Sequence, residues 1–295
     1  MFKFSIDQRV FFSEYYEKNL CLQRKAFTSD ISWQEVNQVL HAMQATPSYI
    51  QVHDGKNLIP EHEYKESHLH AGVHGTRLIH EALYARLREG ATLIIDRMDS
   101  TSARIKRYCD AISQFTGQPV VANGYAAFGE KESFGNHWDT HDVFAVQLIG
   151  RKRWRVYAPT FLLPMPDQKS RDHKKDCPAE PIFDDYLNAG DVLYIPRGWW
   201  HTAIPSNEET FHIAVGVHPA RTLHYATWIC QQMLPNFLPS RYSLTPFSED
   251  QNALEKIADH FRELLLDPEK LTEFKKAITE YNRIKPEFAL QSLAD

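Results

Sequence analysis

The chain has 295 residues, of which 43% are hydrophobic and 24% are charged, and its formal net charge is −5 at pH 7. This composition is typical of globular proteins and excludes the disordered and fibrous classes. A net negative charge gives no overall attraction to nucleic acid, so a nucleic-acid partner is disfavoured, although a local basic patch would still permit one. The length allows one large domain or two modest ones.

The cysteines predict neither a disulfide framework nor a zinc ribbon, because they lie far apart and form no CxxC pair: Cys21, Cys109, Cys177 and Cys230. Reduced thiols fit a cytosolic compartment. The first residues, MFKFSIDQRVFF, lack the pattern of a secretory signal, and no apolar run reaches the roughly 18 residues of a membrane span. We therefore expect a cytoplasmic protein.

Residues 1–90 are predicted to be a mainly helical region that packs on the core. Aromatic residues recur at helical spacing in FFSEYYEKN, and Ser32 and Glu35 have the spacing of a capping box. The stretch GTRLIHEALYARLREG, residues 75–90, predicts a helix that ends at Gly90.

Residues 91–220 are predicted to form the core domain. It begins with a β-rich run, ATLIIDRM, and a helix in SARIKRYCDAISQFTG. From residue 119 to 218 the pattern changes to short alternating segments separated by Gly, Pro, Asn and Asp, which is typical of a sandwich or barrel. The polar, proline-rich residues 163–181 are predicted to be a surface loop.

The last region, residues 221–295, is predicted to be helical. An apolar stripe at helical spacing indicates one helix, and Asp267 followed by Pro268 predicts the cap and first turn of a second. The stripe consists of Leu254, Ile257, Ala258, Phe261, Leu264 and Leu265.

A candidate metal site lies in the segment NHWDTHDVF. Alternate residues of a strand point the same way, so His137 and Asp139 would face one side while Trp138 faces the other. The best third ligand is His201, which we expect just past the end of the strand VLYIP in AGDVLYIPRGWWH. Two histidines and one carboxylate leave open positions on an octahedral metal, as in non-haem Fe(II) oxygenases.

Other histidines and acids compete with this set. His141 and Asp142 repeat the same residue types, and in a regular strand His141 would also face inward, so it stays an alternative ligand. Four further histidines are expected at the surface or in the core instead of at the metal: His173, His212, His218 and His224.

Four stretches together resemble one family, the JmjC-type, cupin-fold 2-oxoglutarate oxygenases, and within it the ribosomal-protein hydroxylase branch. In chain order they are FFSEYYEKNLCLQRKAF, VVANGYAAF, NHWDTHDVFAVQLIGRKRWRVYAP and GDVLYIPRGWWHTA. The resemblance covers about residues 10–220. It implies an α+β fold: a double-stranded β-helix, or jelly roll, with N-terminal helices and a C-terminal helical region that forms a homodimer.

The resemblance also implies roles for single residues. Fe(II) would be bound by His137, Asp139 and His201, and Lys152 would anchor the distal carboxylate of 2-oxoglutarate. Asn123 stands where family members offer a side-chain amide to this co-substrate, so it is a second candidate for binding it.

Residue alternation supports the assignment of Lys152 independently. If Lys152 points into the barrel, Trp154 and Val156 point inward too, and a buried cation among apolar walls needs an anion. The neighbouring basic residues would then lie on a solvated face: Arg151, Arg153 and Arg155. Ala214 departs from the family, since some relatives carry a hydroxyl residue at this position.

The implied activity is hydroxylation of a side chain on a ribosomal or other protein or peptide, with 2-oxoglutarate and O₂ converted to succinate and CO₂. Alternatives are hydroxylation of a modified tRNA base, demethylation of methyl-lysine, a cupin isomerase or hydrolase without 2-oxoglutarate, and a binding module. Trp199 and Trp200 would either wall the substrate cleft or pack the barrel. We expect no winged-helix domain after the C-terminal helices.

Overall fold

The computed structural model divides the chain into two compact units. The first contains residues up to 116 and from 120 to 218, and the second contains residues 117–119 and those from 219 onward. The start of the second unit thus lies close to the predicted boundary at residue 221. The structure describes residues 3–43, 47–132, 134–246 and 250–281.

The described residues contain twelve strands, all in the first unit. They are β1 (Cys21–Gln23), β2 (Ile50–His53), β3 (Lys65–His70), β4 (Val73–Leu78), β5 (Thr92–Ile95), β6 (Val120–Ala127), β7 (Asp142–Ile149), β8 (Arg151–Tyr157), β9 (Phe183–Asn188), β10 (Val192–Ile195), β11 (Trp200–Ile204) and β12 (Thr210–Val217).

Helices flank these strands and make up the second unit. The first unit contains α1 (Gln8–Val10), which a π-helical turn follows, α2 (Trp33–Ala42), α3 (His80–Arg88), α4 (Met98–Thr101) and α5 (Ala103–Thr116). The second unit contains α6 (Thr222–Gln232), α7 (Gln251–Leu266) and α8 (Pro268–Tyr281).

Two antiparallel sheets build the barrel. The larger has seven strands in the order β1-β10-β7-β12-β6-β5-β2, and the smaller has three in the order β11-β8-β9. Their inner faces share an apolar cluster in which Ala145 and Leu193 of the larger sheet pack with Trp154 and Leu187 of the smaller. This is the predicted double-stranded β-helix, which the structure confirms.

A second core covers the other face of the larger sheet. Helix α5 buries Ile105, Tyr108, Cys109 and Ile112, and this spacing of three and four residues places them on one stripe. The stripe belongs to the same apolar cluster as Val146 of the sheet. Each such apolar side chain contributes about 1.5–3 kcal/mol through burial, so the helix stabilises the larger sheet, which forms one wall of the barrel.

Strand β7 passes directly into strand β8 and thereby changes sheet. Gly150 makes the turn with φ +64°, and a Cβ at this position would lie 2.2 Å from the carbonyl oxygen of Glu209. Only glycine fits both constraints. Because β8 starts at Arg151, this turn sets which of the following residues point into the barrel.

The N-terminal region differs from its prediction. Residues 3–43 and 47–90 contain helices but also strands β1 to β4, two of which extend the larger sheet. Residues 75–78 pair with β3 in a hairpin instead of starting the helix, although the predicted end at Gly90 is correct. Cross-strand pairing outweighed the apolar spacing there.

The predicted capping box is also wrong. Ser32 does precede α2, but its side chain makes no capping hydrogen bond. Glu35 instead accepts a hydrogen bond of 2.7 Å from the hydroxyl of Ser102. Glu35 therefore bonds a residue distant in the sequence instead of capping the start of its own helix.

The second unit agrees with the predicted amphipathic helices. Tyr225, Ile229 and Phe274 are buried, and half of the predicted stripe on α7 packs against them: Phe261, Leu264 and Leu265. The carboxylate of Asp267 accepts a hydrogen bond of 2.8 Å from the amide of Glu269, which caps α8 as expected. Among the described residues, no helix combines the length and apolar character that crossing a membrane requires.

Candidate metal and co-substrate site

The main chain holds the two candidate histidines side by side. The amide of His137 donates to the carbonyl of His201 at 3.1 Å, and the amide of His201 donates to the carbonyl of His137 at 2.7 Å. His201 therefore lies inside β11, not just past a strand end as the sequence suggested. His137 forms a single bridge outside the named strands, so its segment adds a fourth element to the smaller sheet.

The turn before β11 fixes Asp139. The amide of Gly198 donates to the carbonyl of Asp139 at 3.0 Å. Gly198 has φ +83°, and a Cβ there would lie 2.4 Å from the carbonyl oxygen of Phe161, so a larger residue would displace the turn. As a result, a carboxylate oxygen of Asp139 lies 3.6 Å from Nε2 of His201.

The structure brings the three predicted ligands together. One ligand atom from each of His137, Asp139 and His201 lies within 4.8 Å of the other two. Trp138 points away and packs with Trp200 in a separate apolar cluster, as alternation predicted. Side chains from two distant segments thus converge on one point.

Both imidazoles are oriented for metal binding. Nδ1 of His137 lies 3.0 Å from the carbonyl of Gly135, and Nδ1 of His201 lies 3.0 Å from the carbonyl of Trp199. A carbonyl only accepts, so each Nδ1 carries the proton and each Nε2 keeps a lone pair. Burial, together with the neighbouring His137, lowers the pKa of His201 to about 4, so this ring is neutral at pH 7.

Asp139 supplies an anionic donor. Burial raises the pKa of its carboxyl, but the imidazoles of His137 and His201 outweigh this and hold the pKa below its usual value. The group is therefore ionised at neutral pH. Two imidazole nitrogens and one carboxylate fit Fe(II) and leave coordination positions free for other ligands.

A pocket opens beside these three residues. Aromatic and apolar residues make up half of its lining, and polar residues, three of them histidines, make up the other half. It is lined by Tyr125, Phe134, His137, Asp139, Val143, Lys152, Trp154, His201, Thr202, Ala203, His212 and Ala214.

Lys152 lies in this pocket and is 1% exposed. Its Nζ lies 3.2 Å from Nδ1 of His212, and burial lowers the pKa of its ammonium group to about 7. Within the described part of the chain, no carboxylate forms an ion pair with it. A buried cation without an anion is a suitable place for an anionic ligand.

The alternation predicted for β8 is correct. Trp154 and Val156 are buried with Lys152, whereas the arginines between them form ion pairs on the outer face. Arg151 pairs with Glu208, and both Arg153 and Arg155 pair with Asp184.

Asn123 does not line the pocket but bonds a residue that does. Its side-chain oxygen Oδ1 accepts a hydrogen bond of 3.2 Å from the main-chain amide of Arg97, and its side chain forms a hydrogen bond with Tyr125. Tyr125 lines the pocket, and its ring stacks on that of His212 with centroids 5.0 Å apart. Sequence reasoning missed both of these pocket residues.

The sequence contained a pattern that could have identified each of these two residues. Tyr125 follows Asn123 by two positions in VVANGYAAF, and His212 precedes Ala214 by two positions in FHIAVGVHP, so each shares a strand face with a residue that had been noted. The interpretation of His212 as an ordinary core residue overlooked this alternation.

The competing candidates lie elsewhere. His141 stacks on His218 with ring centroids 4.9 Å apart and does not line the pocket. Asp142 is buried and accepts a hydrogen bond of 2.8 Å from the hydroxyl of Tyr194. His224 bonds the amide of Arg221 at the start of α6.

The tryptophans beside His201 do not wall the cleft. Trp200 is fully buried, donates its indole N–H to the hydroxyl of Thr160, and packs against Trp138. Trp199 packs at the edge of the cluster between the sheets and lies outside the pocket lining. Of the two roles predicted for the pair, barrel packing is the correct one.

Comparisons with known proteins agree with this geometry. The profile of the JmjC domain matches residues 97–225. The chain is 28% identical over 244 residues to the bifunctional lysine-specific demethylase and histidyl-hydroxylase NO66 of Drosophila mojavensis, covering 79% of this chain and 26% of that protein. It is 31% identical over 160 residues to NO66 of Drosophila persimilis, covering 54% and 23%. The chain thus spans about a quarter of the length of these relatives.

Among solved structures, the chain resembles YcfD, a ribosomal oxygenase from Escherichia coli in complex with cobalt and 2-oxoglutarate. The TM-score is 0.63 at 18% sequence identity, and the match covers 98% of this chain and 75% of that chain. At this identity the likeness establishes the fold. The profile match places a JmjC domain at residues 97–225, and the chain is similar in sequence to the NO66 proteins over most of its length.

Proposed function

We propose that this chain is an Fe(II)- and 2-oxoglutarate-dependent oxygenase that hydroxylates a side chain of a ribosomal or other protein. The observation that carries the proposal is the pairing of two features in one pocket: three converging metal donors, and a buried lysine with no carboxylate partner among the described residues. The names of the relatives support this proposed hydroxylase function, since they include a histidyl-hydroxylase and a ribosomal oxygenase.

His137, Asp139 and His201 would hold the iron. Bound Fe(II) with 2-oxoglutarate supplies the oxidising chemistry, in which O₂ and 2-oxoglutarate become succinate and CO₂ and one oxygen atom enters a C–H bond of the substrate. The carbonyl groups that accept hydrogen bonds from Nδ1 of both imidazoles would orient the rings so that Nε2 of each is available to the metal.

Lys152 would bind the distal carboxylate of 2-oxoglutarate. An ammonium group held in an apolar pocket forms a stronger charge-assisted hydrogen bond than one in water. Val143 and Trp154 line the same pocket and exclude water from it. Asn123 would act indirectly, by holding Tyr125.

The substrate is a protein side chain in this proposal. Hydroxylation is the first candidate, and lysine demethylation is the second because the curated relatives bear both activities in their name. Phe134 lines the pocket together with the three metal donors and would contact a substrate side chain that enters it.

The experiment is a comparison of proteomes from cells with the chain and cells with its Asp139→Ala variant. We expect a peptide, foremost from a ribosomal protein, that gains the mass of one oxygen atom only with the intact chain. Purified protein should then form succinate in proportion to that peptide. Loss of methyl groups would favour demethylation, an oxidised tRNA nucleoside would favour the RNA alternative, and no succinate with any substrate would contradict the proposal.

We further propose that the chain acts in the cytoplasm as a homodimer joined by its C-terminal helices. Free cysteines support the compartment, and exposed leucines on α7 and α8 support the interface: Leu254, Leu266 and Leu271. Sedimentation at micromolar concentration should give the mass of a dimer. A monomer there would contradict this part of the proposal and leave the proposed chemistry untouched.

A further inference from the structure

One contact in the pocket joins the two sheets of the barrel. Lys152 belongs to β8 of the smaller sheet and His212 to β12 of the larger, and Nζ of the lysine lies 3.2 Å from Nδ1 of the imidazole. Both side chains are buried, at 1% and 4% exposure. Both also line the pocket that contains the three metal donors.

The imidazole of His212 is held on two sides. Its ring stacks on Tyr125 at an angle of 11° and meets the ring of Trp154 edge-on at 80°, with centroids 5.2 Å apart. Tyr125 and His212 are also direct cross-strand partners between β6 and β12. These contacts fix the plane of the ring, so Nδ1 is directed at the lysine.

The pair can carry only one positive charge. Burial, with the nearby Lys152, lowers the pKa of His212 well below its usual value, so the ring is neutral. A neutral ring that accepts at Nδ1 carries its proton on Nε2. The other titratable groups lining the pocket are Tyr125 and the three metal donors, and none of them is hydrogen-bonded to the lysine among the described residues.

We infer that His212 is a positioning residue for the co-substrate: it accepts one of the three ammonium hydrogens of Lys152 and so turns the other two toward the distal carboxylate. This inference rests on the proposed function. The same strand offers no hydroxyl to the ligand two residues later, because Ala214 stands there. Among the described residues, the hydrogen bond recorded for the lysine Nζ is the one to His212, so the imidazole is the group that can orient it.

The test compares His212→Phe with His212→Asn in cobalt-loaded protein. Phenylalanine keeps the ring packing and removes the acceptor, whereas asparagine restores an acceptor near the position of Nδ1. Affinity is measured by calorimetry for 2-oxoglutarate and for 2-oxobutyrate, which lacks the distal carboxylate. We expect His212→Phe to weaken 2-oxoglutarate about tenfold, the value of one hydrogen bond to a charged group, and to leave 2-oxobutyrate unchanged. His212→Asn should bind 2-oxoglutarate with an affinity close to that of wild type.

A second comparison places His212→Phe in a Lys152→Ala background. If His212 acts through the lysine, the His212→Phe substitution should not change 2-oxoglutarate affinity further in the Lys152→Ala background. Equal binding of 2-oxoglutarate by wild type and His212→Phe overturns the inference, and so does an equal loss for both ligands, which would mean that the ring only packs. Failure of wild-type protein to bind 2-oxoglutarate when cobalt is bound would instead remove the proposed function, and the inference with it.

Discussion

His137 and His201 exchange two main-chain hydrogen bonds, of 3.1 and 2.7 Å, although they come from segments far apart in the sequence. The proposed metal site is therefore assembled by the backbone of the barrel and not by its ligand side chains. Replacing a ligand removes a donor but leaves the framework that carried it.

Replacing His137 or Asp139 by alanine should abolish metal-dependent turnover without unfolding the chain. The pocket is polar on this side and Asp139 is about one-third exposed, so neither change leaves a large apolar cavity. We expect each variant to keep a cooperative thermal transition, with unfolding free energy within about 1–2 kcal/mol of wild type. Succinate formation with added Fe(II) measures turnover, cobalt titration measures metal binding, and circular dichroism measures the thermal transition.

The matched control is His141→Ala, which removes a histidine from the same segment but outside the pocket. It should bind metal as wild type does. Loss of metal binding in this control would make His141 a ligand, and loss of the thermal transition in either ligand variant would give the site a structural role.

Replacing Lys152 by alanine should weaken 2-oxoglutarate binding by about 10- to 100-fold, because a charge-assisted hydrogen bond to the distal carboxylate is lost. Lys65→Ala is the control, since Lys65 is the other buried lysine of the described core but pairs with Glu61. Calorimetry with cobalt-loaded protein measures both variants. Unchanged affinity in Lys152→Ala would show that another residue anchors the co-substrate.

Affinity for 2-oxoglutarate should fall as pH rises above 7. Burial lowers the pKa of Lys152 to about 7 in the ligand-free protein. Below this pH the ammonium is already charged, so affinity is constant; above it, binding must take up a proton, and affinity falls about tenfold per pH unit.

Calorimetry between about pH 6.5 and 9, in buffers of different ionisation enthalpy, detects this proton uptake. Lys152→Arg is the comparison, because a guanidinium stays charged over this range. A flat wild-type profile would show that the lysine is charged before the ligand arrives.

Asp142 should make the chain less stable at pH 7.5 than at pH 5. Burial is the main reason that the pKa of its carboxyl is raised to about 6, above its unfolded value of 3.8. The folded state then binds the proton more tightly, so the stabilisation is fully present below about pH 4 and is lost as pH rises through 6. The loss is about 1–3 kcal/mol.

Asp142→Asn tests this directly. The amide keeps an oxygen that can accept from the hydroxyl of Tyr194 and the amide of Arg197, and it carries no charge. Urea denaturation of metal-free protein at both pH values should show a smaller pH dependence in the variant. If the unfolding free energy of the two proteins changed equally between the two pH values, groups other than Asp142 would be responsible for the titration.

Local patterns were sufficient for much of the fold and for part of the site. The alternating segments predicted the barrel because successive strand residues face opposite ways, whatever the strand pairs with. The same rule placed Trp138 opposite His137 and Asp139, and it separated Lys152 from the arginines beside it. Helical spacing predicted the apolar face of α7 for the same reason.

What local rules could not supply is which segments become neighbours. Glu35 bonds Ser102 instead of capping its own helix, and residues 75–78 join a hairpin because a partner strand lies beside them. His201 enters a strand because its backbone pairs with His137.

Which residues of β8 share a face could be predicted from the sequence, because alternation along a strand follows from covalent geometry. The contact of His212 with Lys152 across the barrel, and the stacking of Tyr125 on the imidazole of His212, follow from the tertiary fold and not from any local pattern. Such contacts form when the two sheets pack face to face. Which residues then meet depends on how all strands of the barrel pair, and no single segment encodes this.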